Sequence, residues 1–161
     1  MLVVAVGIVG AAAYAGSVAS KIGLREFWPT LDKPWYTPPD AVFGIVWSIV
    51  YVLMIFSLWR VLIVWWTSHP RERAVSSAGQ HALIAQLVQI FLNGLWSWVF
   101  FAWGMAGWGL VEIVLLWACI GWAMATTSRV SPAGAFALVP YHLWVGFAAV
   151  LNAGVWSMNR G

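Results

Sequence analysis

Three tryptophans, Trp47, Trp96 and Trp144, stand in the middle of long apolar runs, away from the ends where the aromatic belts of a membrane protein lie. An indole so placed offers a flat polarisable face and one N–H, which is the chemistry of stacking rather than of bond cleavage. Groups that cleave bonds occur in no usable pattern: there is no Ser, His and Asp set, no glycine-rich phosphate loop and no pair of intramembrane carboxylates. His69, His81 and His142 are scattered, a weak metal signal, and no metal site is expected. Cys119, the single cysteine, excludes an intrachain disulfide and reads as a small core or lipid-facing residue. Glu112 is expected in the first turn of a helix, where a carboxylate meets the positive end of the dipole. What remains is an aromatic, nearly uncharged hollow with a few amides. It suits a large flat apolar ligand such as a porphyrin or a sterol. The competing use of each tryptophan is packing and interfacial anchoring.

The elements that must hold these rings follow from composition. Of 161 residues 63% are hydrophobic and only 8% charged, with a mean hydropathy of +0.86. Soluble domains carry roughly 25% charged residues, so this chain belongs in a bilayer and membrane lipid is its first partner. The length allows one domain, 1–161, and about five spans of roughly 20 residues or more. The expected fold is an all-α integral membrane protein, a five-transmembrane-helix bundle with helices over about 2–20, 38–66, 77–103, 108–127 and 132–158. A net charge of +3, with no basic cluster beyond Arg71 and Arg73, leaves no footprint for nucleic acid.

The first helix lacks the basic start of a cleaved signal. Its Ala12, Gly16 and Ser20 form a small-residue face that fits close approach either inside the bundle or between protomers. The loop from Lys21 to Thr37, rich in proline and aromatics, cannot continue a helix and is expected to be a shaped lid. Thr37 is expected to cap the second helix, with Pro38 in its first turn and Asp40 near its dipole. On that helix Phe43, Trp47, Tyr51 and Met54 share one face, an aromatic wall. A hydrophilic connection with His69, Pro70, Arg71, Glu72 and Arg73 follows. Gln86, Gln89, Asn93 and Ser97 form a polar stripe on the third helix. It must face the bundle interior, for interhelical hydrogen bonds or for a ligand. Ser131 and Pro132 should start the fifth helix, on which Pro140, Trp144, Ala148 and Asn152 recur every fourth residue. Pro140 should bend it. Five spans put the termini on opposite sides, and basic residues favour the side of the long loop and C-terminus by a margin of one.

The run Trp28-Pro29-Thr30-Leu31-Asp32-Lys33-Pro34-Trp35-Tyr36-Thr37-Pro38-Pro39 with Trp47 beyond it, Leu92-Asn93 to Trp96, Phe100-Phe101, Gly107-Trp108, and Pro140-Tyr141 through Trp144, Phe147-Ala148 and Leu151-Asn152 together resemble one family. It is the translocator protein, or tryptophan-rich sensory protein, family (TspO/MBR, formerly the peripheral benzodiazepine receptor). The resemblance implies five membrane helices, commonly dimeric, around a pocket closed by the first loop. That pocket would admit porphyrins such as protoporphyrin IX, haem, sterols and synthetic benzodiazepine-site ligands, with no obligatory cofactor. It further implies a bacterial membrane, inner or outer left open, with the long loop and C-terminus cytoplasmic. Asn93, Trp96, Trp108, Ala148 and Leu151 match family pocket positions. Trp35 and Pro38 of the lid, Trp47 and Tyr51 of the wall, and Trp144 complete the expected ligand-binding set. The resemblance leaves three functions open: a receptor, sensor or carrier of tetrapyrroles; a light- and oxygen-dependent porphyrin-degrading enzyme, with Trp47 and Trp144 as its catalytic pair; and a sterol-binding protein or a scaffold using the small face of the first helix. Two departures matter: Pro29 stands where a tyrosine often follows the loop tryptophan, and Ala153 where animal members carry the tyrosine of a sterol motif.

Overall fold

A computed structural model of the chain describes residues 1–67 and 73–160, leaving aside the side chains of 73–76. The hydrophilic connection expected at His69, Pro70, Arg71 and Glu72 lies outside the described residues, as does the Arg73 side chain. The helices are α1 Leu2–Glu26, α2 Asp40–Thr67, α3 Arg73–Ser97 extended by a π-helical turn Trp98–Ala102, α4 Ala106–Ser128, α5 Pro132–Ala137 and α6 Val139–Met158. Taken with α5 and α6 as one span, five apolar segments of 23 residues or more result. At 1.5 Å per residue each exceeds the roughly 30 Å hydrocarbon core. The chain is a multi-pass integral membrane protein, all-α among the described residues.

Several helix ends differ from those expected, each for a local reason. α1 does not stop near Ser20 but runs to Glu26, because no proline interrupts it before Pro29 and Gly23 lets it lie against Phe101. Thr37 is not the cap of α2: its hydroxyl donates to the Pro34 carbonyl at 2.7 Å, and the two prolines that follow delay the helix to Asp40. Asp40 does lie in the first turn. α4 starts at Ala106 rather than Trp108, so Glu112 is buried in the second turn and does not cap. The fifth span breaks at Leu138, and Pro140 then occupies the first turn of α6, where its missing N–H costs nothing. Ser131 caps α5 as expected, its Oγ accepting from Gly134 N at 3.2 Å.

The small-residue face of α1 turns inward. A Cβ on Gly16 would lie 3.2 Å from Ser97 Oγ, and Gly94 of α3 approaches the Ala12 carbonyl. Of the two uses expected for that face, the one inside the bundle is met at Gly16 and Ala12. At the end of α3 the π turn closes with Trp103 N–H to Trp98 O at 2.9 Å, and Gly104, at φ +65, turns the chain into α4. The first loop and the C-terminal end meet: Asp32 N–H donates to Asn159 Oδ1 and Asn159 Nδ2 donates back to Asp32 O, both at 2.9 Å.

The polar stripe of α3 is wholly buried. Gln86 Nε2 donates to Ser57 Oγ at 2.7 Å and Thr127 Oγ1 at 3.2 Å, while Gln89 Nε2 donates to Gln86 Oε1 at 3.1 Å. Three spans are thereby joined in the half of the bundle away from the first loop. With no water in hydrocarbon to satisfy them, amides must find each other, and here Gln86 and Gln89 do, although Gln89 Oε1 is buried without a partner among the described residues.

Candidate functional site

The other half of the bundle is hollow. A cavity of about 340 Å³ lies between α1, α2, the end of α3 and α6. Phe43, Trp47 and Tyr51 form one wall, one helical turn apart on α2; Trp144, Ala148, Leu151 and Asn152 on α6 form the next; Trp96, Ser97, Phe100 and Phe101 close the floor; and Trp28 covers the loop side. The rings brace one another. Trp47 stacks on Tyr51 with centroids 5.6 Å apart, Trp96 on Phe100 at 5.3 Å, and Phe43 meets Trp144 edge-on at 5.7 Å. Such contacts add about 0.5–1.5 kcal/mol per pair to burial, enough to hold the walls apart as fixed planes.

Polar atoms near the cavity are mostly paired. Tyr51 O–H donates to Asn93 Oδ1 at 3.3 Å, and Asn93 Nδ2 donates to Tyr141 Oη at 3.0 Å. Trp96 Nε1 donates to Asn152 Oδ1 at 3.3 Å, and Asn152 Nδ2 donates to the Ala106 carbonyl at 2.8 Å. Trp144 Nε1 is buried and has no partner among the described residues. The arrangement offers aromatic planes, not a nucleophile with a base beside it.

Of the residues expected at the site, Trp47, Tyr51, Trp96, Trp144, Ala148 and Leu151 come together around this cavity. Four do not line it. Asn93 lies beneath, tied between two tyrosines. Trp35 is 94% exposed at the tip of the loop, because Pro34 and Tyr36 take the contacts against Gly154 of α6. Pro38 stays in the loop, and Trp108 is 65% exposed on the outer side of α4. Of the loop, only Trp28 reaches the cavity, wedged against Phe43, Phe100 and Phe101 with the Lys33 ammonium 4.9 Å from its ring centre. The α1 residues Ala13, Gly16, Ser17, Ser20, Lys21 and Leu24 are additions to the expected site. Their signal is the four-residue spacing of Gly16 and Ser20, continued to Leu24.

His81 Nδ1 is paired with the Ser77 carbonyl at 2.7 Å, and His142 stacks on Trp117 at 4.5 Å, away from the cavity. Among the described residues no three His, Cys, Asp or Glu side chains gather as a metal site.

An all-α bundle of five apolar spans agrees with the comparison with known proteins. The model of the TspO/MBR family matches residues 2–157. The chain belongs to that family. It is 34% identical to the tryptophan-rich protein TspO of Chlorobaculum tepidum, over 98% of this chain and 95% of that one. It is 31% identical to protein CrtK of Rhodobacter capsulatus, over 94% and 89%. With the human translocator protein it shares 35% identity over 86% of this chain and 78% of the relative. In this TspO/MBR chain the cavity is built by the same segments that carry the tryptophan motifs, apart from the contribution of α1.

Proposed function

We propose that this chain is a membrane receptor or carrier for porphyrins and related tetrapyrroles, with protoporphyrin IX as the ligand type. One observation carries the reading: Trp47, Trp96, Trp144, Phe43 and Phe100 surround one cavity and brace each other there. Planar π-faces favour a planar π-ligand over a sterol, which offers no face to stack. Nothing in the wall demands an ion or a metal-bound group, so a metal-free macrocycle suffices.

The experiment is quenching of tryptophan fluorescence by protoporphyrin IX in nonionic detergent. Trp144→Ala, which removes one wall, should raise the dissociation constant about two- to tenfold, since stacking on an indole is worth about 0.5–1.5 kcal/mol beyond burial. Trp35→Ala and Trp108→Ala, both remote from the cavity, should leave it unchanged. Equal affinity in Trp144→Ala and wild type, with the variant folded by circular dichroism, would overturn the reading.

A further inference from the structure

The cavity has a charged mouth. Its exposed lining residues, Ser17, Lys21, Leu24, Asp40 and Gly44, all belong to α1 or to the start of α2. The hollow therefore opens sideways, along the seam between these two helices. The seam lies at the end of the bundle where the first loop and the C-terminal end meet, the level of the membrane interface. Lys21 is the only base among the described lining residues and makes no hydrogen bond or ion pair with any described residue. The nearby loop base is already engaged, with Lys33 Nζ donating to the Leu31 carbonyl at 3.1 Å and facing the Trp28 ring. Arg25, one turn beyond Lys21, is exposed but stands beside the exposed Glu26, so Lys21 is the base that faces the cavity itself.

We infer that Lys21 is the anchor for an anionic substituent of the ligand, and that the site selects carboxylate-bearing amphiphiles which enter between α1 and α2 with the acid group left at the interface. This rests on the tetrapyrrole reading and deepens it. The cavity is open along this seam, where its lining residues are exposed, so one edge of a bound ring faces the mouth and can project from it. The edge that projects is the one that prefers water, and in an acidic porphyrin it carries the carboxylates. A lysine at this depth keeps its ammonium at the interface while its stem covers apolar surface. Asp40 on the opposite rim works the other way and repels the same group. The rim thus has a polarity, with the favoured position for an anion on the α1 side.

The bland alternative is that Lys21 merely anchors α1 at the interface. The two ideas separate with protoporphyrin IX and its dimethyl ester, which share a ring and differ in charge. Dissociation constants for both come from tryptophan quenching of wild type, Lys21→Gln and Asp40→Asn in the same nonionic detergent. Lys21→Gln should weaken the free acid about two- to fivefold, the range of a partly exposed ion pair. Asp40→Asn should tighten it, and neither change should move the ester. Equal effects of Lys21→Gln on acid and ester, or no effect on either, would overturn the anchor while leaving the receptor reading intact. Wild-type protein that binds neither porphyrin would overturn both.

Discussion

Replacing Gly23 with alanine probes the contact that holds α1 against the end of α3. A Cβ at Gly23 would lie 2.5 Å from Phe101 Cβ, 2.6 Å from its carbonyl oxygen and 2.7 Å from its carbonyl carbon. Carbon atoms rest at about 3.5–4.0 Å, so the two segments would have to part by about 1 Å. Two of the three atoms are backbone, and no side-chain rotation relieves them. Overpacking of this kind costs about 1–3 kcal/mol. Alanine also gains about 1 kcal/mol over glycine in helix propensity, which masks part of the cost. Gly10→Ala carries the same gain without the clash, since nothing stands within 4 Å of its Cβ. The difference between the two variants therefore isolates the close approach, and Gly23→Ala should be the less stable by about 1–3 kcal/mol. Unfolding by SDS from mild detergent micelles, followed by far-UV circular dichroism, measures it. Because α1 supplies Gly16, Ser17, Ser20, Lys21 and Leu24 to the cavity, Gly23→Ala should also change porphyrin affinity, whereas Gly10→Ala should not. Equal stability of the two variants would refute the close approach.

Two further substitutions separate the rigid half of the bundle from the hollow one. Asn152→Leu removes the acceptor of Trp96 Nε1 and a second donor to the partly buried Ala106 carbonyl, leaving the buried indole N–H unpaired at about 1–3 kcal/mol. Since Trp96 is part of the cavity floor, both SDS stability and porphyrin quenching should fall, and wild-type affinity in this variant would contradict the role given to that hydrogen bond. Gln86→Leu leaves Ser57, Thr127 and Gln89 without their partner, and stability should fall by a similar amount. Gln86 does not line the cavity, so the dissociation constant for protoporphyrin IX should stay within about twofold; a larger change would show that the two halves are coupled.

The five spans were legible because an apolar run of 20 or more residues has few alternatives to a membrane helix. The faces were legible too: the four-residue spacing of Phe43, Trp47 and Tyr51, and of Trp144 and Ala148, did place these residues on common walls. Periodicity, however, says which residues share a face and not what that face meets. Asn93 and Ser97 belong to one stripe, yet Ser97 borders the hollow while Asn93 lies below it between Tyr51 and Tyr141. Trp108 enters the expected site through the resemblance alone, with no periodicity behind it, and on α4 it stands on the outer side.

The share taken by α1 could not be read from α1 alone. Its small residues permit approach at Gly16 and Gly23 to Ser97 and Phe101, and it is the partners on α3 that decide how the rest of α1 lies. Held there, α1 leaves a seam toward the start of α2, bordered by Ser17, Lys21 and Leu24. The Gln86 amide joins the helices lower down, with Ser57 and Thr127, while the Asn152 amide at the cavity ties Trp96 to the start of α4. Rings large and stiff enough to brace one another then leave the wedge unfilled, since indoles have few rotamers with which to collapse into it. The two depths of the bundle are therefore built differently: hydrogen-bonded glutamines join the spans in the far half, while around the cavity stacked and edge-on rings brace one another and Asn93 and Asn152 pair the polar groups beside them.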